Sequence, residues 1–155
     1  MKFVHYGKYD KISKEKFNPV ENSDWIKPIG CLWASPIDCN YGWVNFYDDD
    51  ELRDNDSNDE KMKYCIEFTL KKETRIYIID SFKDYTKLYE NYGRSISTYL
   101  NTLDFERISK EYDTILLTDN GQCETRFTQP NLYGWDVVTL LLFNIDCIDE
   151  QKLKQ

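Results

Sequence analysis

The sequence predicts an α+β protein, in which short strands outnumber helices and the two do not alternate regularly. Three observations point to this class. Apolar and polar residues alternate over 63–70, as in a half-buried strand. Aromatic and aliphatic residues recur at helical spacing over 82–92. The most hydrophobic run, 136–143, has the length of one central strand. With 155 residues, 41% of them hydrophobic, the chain 1–155 is expected to form a single domain.

The predicted strands are apolar runs bounded by glycine, proline or polar residues. They span 2–6, 30–34, 63–70, 75–80, 114–118 and 136–143. Residues 42–47 alternate weakly, as a further strand would. The connection 71–74 predicts a hairpin between the two strands that flank it. A polar loop is expected between the strand 114–118 and residue 131.

Two helices are predicted from the residues that cap them. Ser81, followed three positions later by Asp84, is a variant of the capping box, and Gly93 marks the end of this helix. Asp104 is the second N-cap, before a short helix over 105–111.

The net charge of −8 is concentrated in one segment. Residues 48–60 contain eight acids and one arginine, a local charge of −7, which leaves −1 for the other 142 residues. We expect this segment to be a solvated loop, and it could steer association with a basic partner. The negative charge argues against a surface that binds nucleic acid by counterion release. Without an apolar stretch of 18 residues or a signal peptide, a cytoplasmic protein that does not enter a membrane is expected.

The residues that usually bind metals form no recognisable site in the sequence. His5 is the only histidine, which excludes zinc sites with two imidazoles. The five cysteines are odd in number and contain no CxxC pair, so reduced, partly buried thiols are expected. The run 54–59 resembles a calcium loop, but Asp59 stands where the turn glycine belongs and Cys65 where the bidentate glutamate belongs.

Two features of the sequence are candidates for ligand binding. His5 lies on the opposite side of its strand from Val4 and Tyr6, beside Gly7, so it either lines a cleft or is a structural histidine. Each of the four tryptophans has a glycine or proline nearby, and such rings either stack on a planar ligand or fill the core. They are Trp25, Trp33, Trp43 and Trp135.

Several motifs occur in an order that resembles a known family. The strand with His5-Tyr6-Gly7 is followed by KPIGCLWASP at 27–36, by Trp43, and by LYGWD at 132–136. This arrangement resembles small bacterial and phage proteins of the ADP-ribosyltransferase-like fold, in the branch with a histidine, a tyrosine and an acid. The resemblance covers roughly residues 3–148. It implies two small, mostly antiparallel sheets around a cleft, with a few inserted helices.

The resemblance also implies roles for particular residues, with NAD as substrate. His5 would hydrogen-bond the adenosine ribose and count among the catalytic residues, Gly7 would let the dinucleotide approach the strand, and Tyr6 would also bind NAD. Trp33 and Ser35 would form the wall of the nicotinamide pocket, Trp43 would be the stacking aromatic, and Asp136 would be the catalytic acid.

The implied activity is that of an NAD-dependent ADP-ribosyltransferase or NAD glycohydrolase. A carboxylate would stabilise the oxocarbenium-like transition state as nicotinamide leaves, and the acceptor would be an unidentified protein or nucleic acid. The family places a glutamate inside the late strand, where this chain has Val137-Val138-Thr139. The alternative is therefore a non-catalytic binding module or inhibitor that uses its acidic loop against a basic partner.

Overall fold

The computed structural model describes residues 1–48 and 63–154. The strands are β1 (Lys2–Gly7), β2 (Leu32–Pro36), β3 (Tyr64–Leu70), β4 (Ile76–Ile79), β5 (Gly93–Ser95), β6 (Asn101–Leu103), β7 (Thr114–Leu117), β8 (Thr139–Leu142) and β9 (Ile148–Leu153). The helices are α1 (Trp43–Asp48), α2 (Phe82–Tyr92), α3 (Phe105–Glu111) and α4 (Asp119–Thr125), with 3₁₀ turns at Lys14–Lys16 and Ile145–Cys147. The mixed content confirms the predicted α+β class.

Seven strands form one curled sheet in the order β4-β7-β8-β2-β1-β3-β9, and β5 pairs with β6 in a small second sheet. The pairing of β4 with β7 is parallel, and the other neighbours in the large sheet are antiparallel. The connection from β4 to β7 contains α2 and α3, as parallel strands require a long crossover.

Apolar side chains are buried on both faces of the large sheet. On one face, Leu141 and Ile115 pack with residues of α2 and α3 and with Trp135. On the other face, Leu140 and Leu142 pack with residues of β1, β2 and β3 and with the segment 12–17. The alternation of Leu140, Leu141 and Leu142 between the two clusters explains why this strand is apolar throughout.

Both predicted helix N-caps are confirmed. The Ser81 hydroxyl accepts a hydrogen bond from the backbone N–H of Asp84, and the Asp104 carboxylate accepts one from the N–H of Arg107. Each satisfies a backbone donor that has no partner within its own helix.

Three other local predictions are wrong. Residues 42–47 do not form a strand, because α1 begins at Trp43. The connection 71–74 is not a hairpin, since β3 and β4 lie on different sides of the sheet. The expected polar loop before residue 131 contains α4. The run 136–143 does contain a strand, β8, which begins at Thr139.

The predicted acidic loop at 48–60 lies outside the described residues, apart from Asp48, the last residue of α1. In the two described ranges, no helix combines the length and the apolar character that crossing a bilayer requires.

Candidate functional site

A hydrogen bond from His5 connects β1 to β2 where the two strands stop pairing. The strands are paired at Phe3–Pro36 and Val4–Ser35, and beyond these positions the His5 side chain takes over the connection. Its Nδ1 lies 2.7 Å from the backbone carbonyl oxygen of Trp33. Because a carbonyl oxygen only accepts, Nδ1 carries the proton in this bond.

The remaining ring nitrogen of His5, Nε2, is therefore an acceptor when the imidazole is neutral. Burial lowers the pKa of His5, and the hydrogen bond to Trp33 raises it by less. The neutral form is thus favoured, with its lone pair on Nε2. Among the described residues, no hydrogen bond to Nε2 is found.

Gly7 makes room for the imidazole. A Cβ atom at position 7 would lie 2.5 Å from Nε2 of His5, closer than two such atoms approach in proteins. The glycine that the resemblance assigns to the dinucleotide thus has a role within the chain, which is to let the His5 ring lie over the strand. Tyr6, on the other face of β1, is half-buried and lies opposite Cys65 of β3.

His5 lines a cavity of about 180 Å³ between β1, β2 and the segment 8–18. Side chains of three chemical kinds border it. The cationic ones are Lys8, Lys11 and Lys16; the apolar and aromatic ones include Tyr9, Ile12, Phe17, Leu32 and Ile66; and the polar ones include Ser13, Asn18 and Cys31. We call this cavity the lysine pocket. No acidic side chain is found among the described residues that line it.

Cys31 is the thiol that lines the lysine pocket. Burial raises the pKa of Cys31 far above its ordinary value, so its sulfur is protonated and a poor nucleophile. All five cysteines are free thiols in the structure.

Two of the predicted residues, Ser35 and Trp43, are brought together. Ser35 is fully buried, and its hydroxyl oxygen accepts a hydrogen bond of 2.9 Å from the backbone N–H of Trp43. The Trp43 ring packs edge-on against Phe46 at 5.5 Å between ring centroids. The hydrogen bond from Trp43 to Ser35 fixes the start of α1 against β2.

The Trp33 side chain lies on the face of the sheet that packs against α2 and α3. Its indole packs edge-on against the buried Trp135, with ring centroids 5.1 Å apart. The Nζ atom of Lys27 lies 5.9 Å from the Trp33 ring. Two of the four tryptophans therefore contact each other, while Trp25 is exposed.

Asp136 lies on the wall of a second cavity of about 500 Å³. Tyr41, Phe46 and Arg126 are among the described residues that line this cavity. The Asp136 carboxylate is exposed and lies 3.5 Å from Nζ of Lys27 and 3.6 Å from Nη2 of Arg126.

The structure does not bring His5 and Asp136 to one groove. His5 lies on β1 and Asp136 lies just before β8; these two strands are separated by β2, and the two cavities share no described lining residue. His5 projects with Phe3 and Ile66 to one face of the sheet, whereas Asp136 pairs with Lys27, which lies against Trp33 on the other. The expected proximity of the imidazole and the acid is absent from this arrangement.

The sequence analysis missed the three lysines of the lysine pocket. Their signal was the segment 8–16, KYDKISKEK, which contains four lysines and two acids. The acids Asp10 and Glu15 alternate with the lysines along the chain, so the segment's charge did not stand out. In the folded protein, neither acid is among the residues that line the pocket.

Residues 1–48 and 63–154 contain no group of three or more His, Cys, Asp and Glu side chains that could hold a metal ion. Comparisons of the chain with protein-family models, with curated proteins and with solved structures found no match. The fold and the site together define an α+β protein with a cationic pocket at the junction of two strands.

Proposed function

We propose that the protein is a nucleotide-binding module of the ADP-ribosyltransferase-like kind, which binds NAD at the lysine pocket. The observation that carries the proposal is the 2.7 Å hydrogen bond from His5 to the Trp33 carbonyl. This bond holds the imidazole with Nε2 as a hydrogen-bond acceptor in a pocket bordered by lysines.

The pocket offers what the ribose-phosphate part of a nucleotide needs. A ribose hydroxyl can donate to Nε2 of a neutral imidazole, and lysine ammonium groups attract phosphate oxygens as point charges. The resemblance of the His5-Tyr6-Gly7 motif to the ADP-ribosyltransferase-like family implies the same partner for His5, the adenosine ribose. The sequence motif and the geometry of the pocket thus support the same class of ligand, a nucleotide.

The positions of His5 and Asp136 favour binding without turnover. The catalytic scheme needs both side chains in one groove, and they line separate cavities. Asp136 already faces two cations, Lys27 and Arg126, which offset its negative charge. This observation supports the non-catalytic alternative.

The test is to measure the effect of NAD on stability and its consumption in the same samples. NAD at 100 times its Kd should add about 2.7 kcal/mol to the free energy of unfolding. The His5→Gln variant should lose most of this effect, while Glu90→Gln on the exposed side of α2 should keep it. No nicotinamide should be released. If NAD does not stabilise the folded wild-type protein, the proposal fails.

The second candidate is an NAD-dependent ADP-ribosyltransferase or NAD glycohydrolase that uses Asp136. It is favoured by the larger cavity, whose lining includes the Asp136 carboxylate and the aromatic residues Tyr41 and Phe46. A carboxylate in such a place can stabilise positive charge that develops on a sugar. Nicotinamide release by the wild type, lost in Asp136→Asn and retained in Glu90→Gln, would support this candidate over the first.

A further inference from the structure

Among the described residues, the three lysines of the lysine pocket are not neutralised by direct ion pairs. Within the described residues, the ammonium groups of Lys8, Lys11 and Lys16 form no salt bridge, whereas Lys14, in the same segment, pairs with Asp146. Glu15 is the nearby carboxylate. Its own backbone and the Ser13 hydroxyl lower the pKa of Glu15, with smaller contributions from Lys11 and Lys16.

Two of these ammonium groups are held beside one aromatic ring. Nζ of Lys8 lies 4.9 Å and Nζ of Lys16 lies 4.3 Å from the centroid of the Tyr9 ring. The ring attracts each cation, but the two cations repel each other. An anion bound between them would remove this repulsion, so the pocket is suited to a ligand with more than one negative charge.

The volume of the pocket limits how much of a ligand it can hold. Pockets for whole drug-sized ligands measure about 300–1,000 Å³. The lysine pocket, at about 180 Å³, can hold a phosphoryl group or pyrophosphate with part of a sugar. The remainder of a dinucleotide has to lie outside it.

We propose that the lysine pocket binds the pyrophosphate group of a nucleotide through Lys8, Lys11 and Lys16, so that the phosphates rather than the bases provide most of the affinity. The inference deepens the proposed function, on which the choice of a nucleotide rests. It specifies that the pyrophosphate is the part of the nucleotide bound in the pocket, and that the three lysines bind it.

The test uses inorganic pyrophosphate, ADP-ribose and adenosine as probes in titration calorimetry at low ionic strength, since salt screens exposed charges. The pocket variant carries Lys8→Gln, Lys11→Gln and Lys16→Gln. The matched control carries Lys72→Gln, Lys83→Gln and Lys87→Gln, three exposed lysines away from the pocket. Both variants lower the net charge from −8 to −11, so they change the overall field equally. Melting curves show whether each variant is folded.

We expect the wild type and the control to bind pyrophosphate and ADP-ribose and to bind adenosine much more weakly. The pocket variant should lose about tenfold or more in affinity for both phosphate-containing probes, because each lysine removed deletes a charge-assisted contact. Replacing the same three residues by arginine, which keeps the charge, should restore most of the affinity. This rescue separates loss of charge from loss of folding.

Three results would overturn the inference: wild-type protein that does not bind pyrophosphate, equal losses in the pocket and control variants, or unchanged affinity in a folded pocket variant. The outcome for NAD is separate. If NAD binds through His5 but is insensitive to the lysine substitutions, this inference fails and the proposed function stands. If pyrophosphate binding depends on the lysines but NAD does not bind, the proposed function fails and the inference stands.

Discussion

The guanidinium of Arg75 and the carboxylate of Asp113 form a two-pronged ion pair, with 2.9 Å between Nη2 and Oδ1 and 3.1 Å between Nε and Oδ2. The Asn144 side chain donates a third hydrogen bond to Oδ1 at 3.0 Å. Asp113 is 7% exposed. It lies just before β7, and its contacts connect Arg75, just before β4, with Asn144, which follows Phe143. These contacts, the Arg75 side chain above all, hold the pKa of Asp113 well below its usual range.

The Asp113 ion pair should make stability depend on pH in acid. A carboxyl whose pKa is lowered by folding stabilises the native state fully above its ordinary pKa, 3.8 for this group, and loses that contribution as the pH falls further. Asp113→Asn should cost about 1–3 kcal/mol at neutral pH, and the deficit should shrink below about pH 3.8. Urea unfolding of the wild type and the Asp113→Asn variant across this pH range checks the prediction. A loss of stability that stays constant with pH would contradict a lowered pKa of Asp113.

Gly7→Ala should destabilise the protein by about 1–3 kcal/mol, because the new Cβ would collide with the His5 ring. The three heavy atoms nearest to that Cβ all belong to His5. In a His5→Ala background the same substitution should therefore cost little. A double-mutant cycle by denaturant unfolding measures the coupling, and additive costs would show that the ring is not the obstacle.

The affinity for NAD should be constant above about pH 6.5 and decrease in more acidic solution. Burial keeps the pKa of His5 below its ordinary value of 6.5, so the neutral form with an acceptor at Nε2 persists down to that pH. Protonation turns Nε2 into a donor and removes the bond that the ribose hydroxyl would make. Binding titrations at several pH values, alongside an NMR titration of the ring, check this. Affinity that increases on acidification would rule out this role.

Ser81→Ala should cost about 0.5–2 kcal/mol of stability, whereas Ser81→Gly should cost only a few tenths. The Ser81 hydroxyl accepts from the N–H of Asp84 and donates at 2.7 Å to the Asp84 carboxylate. Both variants lose these side-chain bonds, but glycine is among the residues favoured at an N-cap and alanine is not. Thermal unfolding of the two variants checks the order, which would be reversed if the serine served only to pack.

The predictions that succeeded depended on local signals. Ser81 and Asp104 cap their helices through side-chain bonds to residues three positions later, so the relevant partners lie within each motif. The hydrophobicity of the run 136–143, which ends at Phe143, was enough to predict that it is buried. Each of these features is decided by neighbours in the chain.

The failures came from hydrogen bonds and strand pairings that the alternation of residue types does not show. The aromatic and β-branched residues at 43–47 favour a strand, but the Ser35 hydroxyl accepts from the N–H of Trp43 and the Gly42 carbonyl accepts from Phe46, which starts a helix instead. The turn at 71–74 resembles a hairpin, yet β4 continues to the far edge of the sheet to pair with β7. No local pattern encodes these choices.

The candidate site was predicted in part. The position of His5 on the side of its strand away from Val4 was inferred correctly, because strand alternation determines it. Its distance from Asp136 could not be inferred, since this depends on the order of strands in the sheet. A motif order shared with a family does not fix that geometry.

The central position of β8 has a consequence for how the molecule is assembled. Its four residues join a pair of strands, β4 and β7, to the group formed by β2, β1, β3 and β9, so the sheet is continuous only through residues 139–142. During synthesis on the ribosome, the pair β4 and β7 and the group β1, β2 and β3 would exist as separate, partly exposed surfaces until this later segment emerges between them. Such long-range closure slows folding, and the nascent chain would depend on residues 139–142 to shield apolar groups made much earlier.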